Sequence, residues 1–340
     1  MTSREIVTRA VSFQGPERVP YNLPDPYGTD FLGVGPGPDP DWTPRIQTHT
    51  EWEDEFGSIW TRLHGDNTMG QVTGHPLTDY AALDDFRFPD YANSARYEQA
   101  RRSVGKDAGE KFVLASVPFS LIHRLEYLRG HEAAWTDPYE HPQELRTLLN
   151  RLADIAIEAI DRFADIGAHG IISCDDWGLQ DRPMVRPELF AEFWKPVYHR
   201  VYHRAHERGL LTFLHSCGHI ADLLPHFIEA ELDIIQMDQQ ENMGVDLLAE
   251  RFGGRICFWC PVDIQKTMVE GAIEEVRSYA RKLINSFGRF NGGFIAQWYA
   301  SPAAVQHSQE KIDAMCQEFV EYGARFYKCL VRNGPRQVRS

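Results

Sequence analysis

The chain has 340 residues, of which 43% are hydrophobic and 12% aromatic, and its formal net charge at pH 7 is −14. This composition supplies a large core, which excludes extensive disorder, and the acidic balance argues against nucleic-acid or anionic-membrane partners. No apolar run approaches the roughly 20 residues of a membrane span. The N-terminus lacks the apolar segment of a signal peptide, and six scattered cysteines suggest no disulfide framework, so we expect a cytoplasmic protein.

The N-terminal third contains few regular patterns. Residues 1–13 have the spacing of an amphipathic helix, and residues 18–23 (RVPYNL) are the best candidate for a first strand. Residues 33–44 are rich in proline and glycine, which predicts a surface loop without a regular element. We therefore interpret residues 1–110 as an N-terminal elaboration that includes the first strand.

From about residue 111 onward, short apolar runs alternate with helical segments. The predicted strands lie at residues 111–118, 169–177, 210–218, 233–239, 256–263 and 293–299. The longest predicted helices lie at residues 142–167, 187–209 and 272–287. This alternation predicts one (β/α)8 barrel of the TIM type over residues 1–340, with regular repeats in residues 111–325. An open doubly wound sheet is the alternative, but no Gly-x-Gly-x-x-Gly follows an early strand.

Polar and metal-capable residues gather where these strands end. They are Asp175, Asp176, His215, Cys217, Asp238, Gln239, Cys260, Asp263 and Gln297. The active sites of such barrels lie at the C-terminal ends of the strands, so this distribution predicts a catalytic mouth.

His215 and Cys217 form the most specific pair. Residues i and i+2 of a strand point to the same side, so both side chains can converge on one ion, and Gly218 permits a sharp exit. Zinc prefers imidazole and thiolate ligands and needs about three protein ligands at a catalytic site. Cys260 is the preferred third ligand, with Asp238 and Gln239 as rivals. Without a metal, His215 is an acid or base and Cys217 a small buried residue.

The other candidates have two interpretations each. Asp175 and Asp176 are catalytic carboxylates or cap the following segment, and His215 and Asp238 complete the predicted catalytic set. The predicted substrate-binding residues are Trp177, Gln239, Asp263, Gln297 and Arg129. Trp177 alternatively packs over the mouth, and Arg129, with Arg124 and Glu126, alternatively forms salt bridges on a helix surface. His199, His203 and His206 look like a solvated helix face, because no acidic residue is interleaved.

Several of these motifs together resemble the uroporphyrinogen decarboxylase superfamily, over residues 3 to about 320. The matching segments are TSREI (2–6), PERVP (16–20), EFG (55–57), YLRG (127–130), DDWG (175–178), PEL (187–189), KP (195–196), HSCG (215–218), FW (258–259) and VD (262–263). The resemblance implies a (β/α)8 barrel with its cleft at the strand C-termini, in agreement with the strand pattern.

Two chemistries exist within this superfamily. In the superfamily that this chain resembles, true decarboxylases bind substrate carboxylates with an N-terminal Arg-Gln-Ala-Gly-Arg segment. This chain has NLPDPY at residues 22–27, without paired arginines. The branch similar to corrinoid-dependent methyltransferases uses His-x-Cys and a late cysteine to hold zinc. Here His215 and Cys217 match, but residues 295–302 (IAQWYASP) contain no cysteine. The resemblance is therefore closer to the methyltransferase branch, with an altered third ligand.

We therefore predict an enzyme that performs zinc-assisted methyl transfer or demethylation. The methyl group would pass between a small methylated substrate or a methyl-corrinoid and a thiol or corrinoid acceptor. The corrinoid would come from a partner protein, and a second copy of the chain is a further candidate partner. The alternatives are a metal-free decarboxylase of porphyrinogen-like or other carboxylated substrates and a non-catalytic barrel that binds a small molecule.

Overall fold

We describe residues 1–65 and 69–333 of the protein in a computed structural model. The strands are β1 (Tyr21–Asn22), β2 (Phe31–Val34), β3 (Glu51–Glu53), β4 (Ile59–Thr61), β5 (Gln71–Gly74), β6 (Phe112–Ser116), β7 (Gly170–Cys174), β8 (Leu211–His215), β9 (Ile234–Gln236), β10 (Cys257–Cys260) and β11 (Phe294–Gln297).

The α-helices are α1 (Ser3–Val11), α2 (Glu98–Asp107), α3 (Ile122–Arg129), α4 (His131–Glu140), α5 (Pro142–Asp165), α6 (Pro187–Phe193), α7 (Lys195–Glu207), α8 (Leu224–Glu229), α9 (Val245–Phe252), α10 (Thr267–Glu270), α11 (Ile273–Phe287) and α12 (Gln309–Asn333). Short 3-10 helices occupy Tyr80–Ala82, Ser94–Tyr97, Gln240–Asn242 and Pro302–Val305. None of the helices within the described ranges has the length and hydropathy of a bilayer-spanning segment.

Eight parallel strands form a nearly closed barrel. Their order is β1-β11-β10-β9-β8-β7-β6-β2. From β6 to β11 each strand pairs with the next one in the chain, β2 pairs with β6 across the inserted β3–β5, and the first strand, β1, pairs with the last, β11. β1 and β2 adjoin where the backbone N–H of Asp30 donates to the carbonyl of Tyr21 at 2.9 Å. The predicted (β/α)8 barrel is therefore confirmed, and the open sheet is excluded.

The N-terminal third supplies two barrel strands and a separate small sheet. β1 lies within the predicted segment 18–23, but β2 includes Gly33 and Val34, so the prediction of an irregular loop from residue 33 was wrong at its start. The parallel pairing of β2 with β6 holds these two residues extended despite the glycine. β3, β4 and β5 form an antiparallel sheet that packs on α3, where Trp60 meets Tyr127 edge-to-face at 4.8 Å.

From residue 111 the six predicted strands and the long helices agree with the structure. The one difference is at residues 187–209, which form two helices, α6 and α7, separated by Trp194. Lys195–Pro196 follows this break, and a proline at the second helical position is compatible with a new helix but not with an uninterrupted one.

The hydrophobic core has two layers, inside the barrel and between the strands and helices. The inner layer includes Phe112, Phe213, Ile234 and Ile295. Val7 of α1 packs in the same cluster. Because strand side chains alternate, neighbouring residues enter different layers. In β10, Cys257 and Trp259 face the interior, whereas Phe258 and Cys260 join the outer layer.

Candidate functional site

One layer of inward-facing side chains crosses four neighbouring strands at the barrel mouth. These side chains come from the C-terminal ends of β7, β8, β9 and β10, and the strand pairing places them side by side. They are Cys174, His215, Gln236 and Trp259. The polar strand ends predicted from the sequence therefore do meet at the C-terminal face.

His215 is held in one orientation by the neighbouring strand. Its Nδ1 bonds to the side-chain oxygen of Gln236, whose amide nitrogen donates to Asp238 at 2.8 Å. This leaves Nε2 free, 3.3 Å from the Sγ of Cys217 and 3.5 Å from a carboxylate oxygen of Asp176. The histidine thus presents one ring nitrogen to a thiol and a carboxylate.

The turn after β8 brings Cys217 back beside His215. The backbone N–H of Cys217 donates to Asp176 at 2.8 Å, and Gly218 has a φ of +78°. A Cβ at Gly218 would lie only 2.1 Å from the carbonyl oxygen of Gly178, so the close approach of two loops requires glycine here. The sharp exit predicted at Gly218 is confirmed.

The mouth contains two overlapping groups with metal-ligand geometry. In one, ligand atoms of His215, Cys217 and Asp238 all lie within 4.8 Å of one another. In the other, the same condition holds for Cys174, Asp176 and His215. Nitrogen and sulfur ligands of one tetrahedral zinc lie about 3.5 Å apart, which the 3.3 Å separation of His215 and Cys217 closely matches. The donor set of the first group therefore fits zinc.

Three acidic groups share this space. Burial raises the pKa of Asp238, and the nearby Asp176 raises it further. Burial also raises the pKa of the Cys217 thiol, and both carboxylates add to that effect. Among the described residues, no lysine or arginine forms an ion pair with any of the three. A bound cation would offset their mutual repulsion.

Asp175 has a different role from its neighbour. It is 1% exposed and accepts hydrogen bonds from the hydroxyls of Ser120 (2.8 Å) and Tyr198 (2.5 Å). It also accepts from the backbone N–H groups of Leu121 (2.6 Å) and Ile122 (3.1 Å), at the start of α3. These contacts cap α3 and use both carboxylate oxygens, so the position supports a structural role for Asp175 and not the catalytic one. The capped helix precedes Asp175 in the chain, whereas the sequence suggested a cap of the following segment.

Two predicted substrate-binding residues also occupy structural positions. The side chain of Trp177 is fully buried, and its Nε1 donates to Tyr198 at 2.9 Å. Asp263 is 3% exposed and accepts from the backbone N–H of Thr267 at 2.8 Å, which caps α10. Both side chains are turned away from the mouth, because tight packing and helix capping hold them there.

Arg129 does not line the mouth. Its guanidinium forms two hydrogen bonds of 2.9 Å to Asp137 and one of 2.8 Å to the carbonyl of Leu77, and it stacks on the ring of Tyr80 at 3.8 Å. These contacts engage the edges and one face of the buried guanidinium, and they join α3 to α4 and to the N-terminal segment. The salt-bridge interpretation is the one that fits this position.

Gln239 and Gln297 lie at the mouth as predicted. The side-chain oxygen of Gln239 accepts from the N–H of Gly218 at 2.8 Å and supports the turn after β8. Gln297 ends β11, and its buried side-chain oxygen has no hydrogen-bond partner among the described residues, nor has the Nε1 of Trp259. Buried polar atoms without partners are rare in folded proteins, so both are available to a bound ligand.

The structure does not bring Cys260 to the metal-capable cluster. Cys260 is fully buried in the outer layer, because the inward positions of β10 are Cys257 and Trp259. The cysteine that does reach the cluster is Cys174, which pairs in register with His215. Cys174 lies inside the predicted strand 169–177 and ends the observed β7, directly before Asp175, which was the available signal.

Two further residues at the mouth were not singled out from the sequence. His123, in the first turn of α3, places Nε2 3.7 Å from Asp176. Tyr299 follows β11, and burial together with the charges of Asp238 and Cys217 raises its pKa. The adjoining cavity measures about 380 Å³; its polar lining residues are Ser116, Ser120, Arg124, Ser173, Cys174 and His215.

Comparison with known proteins decides the family. A family model described as uroporphyrinogen decarboxylase (URO-D) matches residues 72–322. The chain belongs to the uroporphyrinogen decarboxylase family. This confirms the resemblance found in the motifs, and the family's barrel agrees with the structure. No curated protein sequence matches the chain.

Solved structures similar to this member of the family share its fold. A methyltransferase from Methanosarcina mazei has a TM-score of 0.68 at 13% identity and covers 95% of this chain and 99% of its own. A sugar phosphate isomerase/epimerase from Parabacteroides distasonis has a TM-score of 0.38 at 14% identity, with coverage of 72% and 81%. The first likeness extends over nearly the whole of both chains; the second is too slight to support an argument.

Proposed function

We propose that this protein is a methyltransferase-like enzyme with a zinc site formed by His215, Cys217 and Asp238. The observation that carries the proposal is the convergence of an imidazole nitrogen, a thiol and a carboxylate within 4.8 Å at the mouth of the barrel. Three ligands of this kind leave one position of a tetrahedral zinc open for a substrate atom. Such an open position is typical of catalytic rather than structural zinc.

The residues around these ligands have orienting roles in this proposal. Gln236 fixes the ring of His215 through Nδ1, so that Nε2 is the coordinating atom. Asp176 holds the backbone of Cys217 and lies 3.7 Å from His123. This pair is placed to accept a proton from an acceptor that enters the mouth and to pass it towards solvent.

A bound zinc ion would lower the pKa of a thiol acceptor so that it reacts as a thiolate near neutral pH. The cavity of about 380 Å³ suits a small acceptor or a small methylated substrate. A corrinoid is much larger, so a methyl-corrinoid would approach the mouth while carried by its own protein. Membership in the family and the fold shared with the Methanosarcina methyltransferase support this assignment.

The test uses full-length protein in which zinc is replaced by cobalt(II). We expect a thiolate-to-cobalt charge-transfer band in the wild type that is lost in Cys217→Ser and retained in Cys260→Ser. Cys260 is the matched control, because it is a cysteine near the same strand ends but is buried in the outer layer. Methylcobalamin and a small thiol provide the accompanying activity assay, with the methyl thioether as product.

Four results would overturn the proposal. A folded wild type without the charge-transfer band would exclude the zinc site, and loss of the band in Cys260→Ser would place the metal elsewhere. Release of CO2 from uroporphyrinogen by metal-free protein would establish the decarboxylase alternative. Binding of a methylated ligand with no turnover of any methyl donor would favour the non-catalytic barrel.

A further inference from the structure

A second group of metal-capable side chains lies on the outside of the protein, towards the N-terminal ends of the strands. His199 and His203 stand one turn apart on α7, and Glu231 lies in the turn between α8 and β9. Ligand atoms of the three residues lie within 4.8 Å of one another. The expectation that the histidines form a plain solvated face was based on the absence of a nearby acid in the sequence, and the tertiary structure supplies that acid.

The contacts show how the carboxylate faces the helix. The Nδ1 of His203 lies 3.1 Å from one oxygen of Glu231, and the Nε2 of His199 lies 3.9 Å from the other. The two imidazole rings are stacked, with centroids 5.6 Å apart and an interplanar angle of 11°. Two histidines at i and i+4 on one helix face are a recurrent pair of zinc ligands, and a carboxylate is a common third.

The backbone at Glu231 provides an independent observation. Its φ is +70°, in the left-handed region that glycine and asparagine favour at the end of a helix. A glutamate is uncommon there, because its Cβ crowds the backbone. The strained position aims its side chain at the histidines of α7, and strained residues of this kind are found where a side chain has a specific task.

His206 extends the group. Its Nε2 lies 2.7 Å from Asp233, which also accepts from the backbone N–H of Thr212 at 2.8 Å. Its Nδ1 is thereby turned towards Glu231, at 3.6 Å. These contacts connect Glu231 through His206 and Asp233 to the start of β8.

The neighbouring cations do not occupy the site. Arg200 pairs with Asp154, and Arg204 forms a two-pronged ion pair with Asp161. Both guanidinium groups are therefore directed towards α5 and not towards Glu231. Within the described part of the chain, imidazoles are the only groups at ion-pair distance from the Glu231 carboxylate.

We propose that His199, His203 and Glu231 form a surface site for a divalent transition metal, with zinc as the best match. The site lies near the start of β8 and β9, whereas the mouth cluster lies at their other ends, so the ion is structural. It would tie α7 to the turn before β9. The proposal does not depend on the proposed methyl transfer.

The experiment uses the full-length Cys174→Ser/Cys217→Ser protein after treatment with a chelator, so that neither metal-capable group at the mouth has its thiolate. Titration with cobalt(II) is expected to give tetrahedral d–d absorption bands without a thiolate charge-transfer band. We expect His199→Gln and His203→Gln to weaken cobalt binding at least about tenfold each. His131→Gln is the matched control, because His131 is also an exposed helical histidine beside a single glutamate, Glu126.

Competition and folding measurements complete the design. Zinc should displace cobalt, whereas magnesium should not, because magnesium prefers octahedral oxygen ligands. Circular dichroism of the metal-free variants verifies that each is folded. Absence of these bands in the Cys174→Ser/Cys217→Ser protein would rule the site out, and so would unchanged bands when His199→Gln and His203→Gln are added to it. Loss of the bands in His131→Gln would also contradict it.

Discussion

The two ends of β7, β8 and β9 carry similar polar residues but use them differently. At the start of these strands, His169 accepts a hydrogen bond from the backbone N–H of Val113, and Asp233 accepts one from that of Thr212. At the other end, the Nε2 of His215 and the Sγ of Cys217 lie 3.3 Å apart, and no backbone group in the described ranges forms a hydrogen bond with either atom. Polar side chains that complete the hydrogen bonds of the barrel stabilise it, whereas those that point at one another are available for chemistry.

The same distinction separates two adjacent residues at the mouth. Asp175 is tied to the start of α3 and to Tyr198, while Asp176 is partly exposed beside His215 and His123. Location at the C-terminal end of a strand is thus insufficient for a catalytic role. The direction of the side chain after the strand decides whether it meets the helices or the mouth.

The largest expected effect is on the free energy of unfolding, when each of these two aspartates is replaced by asparagine in a separate variant. We expect Asp175→Asn to lower the free energy of unfolding by about 3 kcal/mol, because an amide would oppose buried N–H donors. Asp176→Asn should lower it by less than about 1 kcal/mol, since this side chain is partly exposed. Urea denaturation of chelator-treated proteins measures both. Equal losses in the two variants would contradict the division of roles.

A smaller effect is expected from the residue that orients His215. Gln236→Leu removes the acceptor at Nδ1, so the ring can rotate or change tautomer, and we expect metal affinity at the mouth to fall about tenfold. Competition with a chelating indicator measures the affinity. Thr212→Val, at the other end of β8, serves as control and should leave the affinity of the mouth unchanged. If both variants reduce the affinity equally, the effect belongs to the barrel and not to Gln236.

The smallest expected effect is the pH dependence of the free energy of unfolding that arises from His169, directly before β7. Burial lowers the pKa of His169 from 6.5 to about 4, so the folded protein keeps this side chain neutral while the unfolded chain protonates it. The resulting stability is present above about pH 6.5 and is lost as the pH falls towards 4. Allowing for partial exposure, we expect a loss of about 1 kcal/mol between about pH 7.5 and pH 5, relative to His169→Gln. Urea denaturation at both pH values tests this, and parallel pH profiles for the two proteins would refute it.

Much of the barrel could be predicted from the sequence, because a buried parallel strand is a short apolar run bounded by turn residues. The runs that contain Phe112, Ile171 and Phe213 are of this kind, and each forms a strand. The predicted loop at Gly33 shows the limit of such reasoning. A glycine-rich segment becomes a strand when a neighbouring strand offers a complete set of hydrogen bonds, which only the assembled barrel provides.

The face of a strand was harder to predict than its position. The segment CFWC in β10 is apolar on both sides, so its composition does not indicate whether Cys257 or Cys260 points inward. The structure directs Cys260 to the outer layer and brings Cys174 to His215 instead. Register between separate strands set this outcome, and register depends on the whole sheet.

The sequence by itself determined the alternation of strands and helices and the local pairing of His215 with Cys217, because both depend on spacings of a few residues. Only the tertiary structure decided which distant groups join them. Asp238 reaches the mouth from the end of the next strand, and Glu231 reaches His203 of α7 from 28 residues away. Closure of the barrel creates such contacts, because it places the ends of neighbouring elements side by side regardless of their separation along the chain.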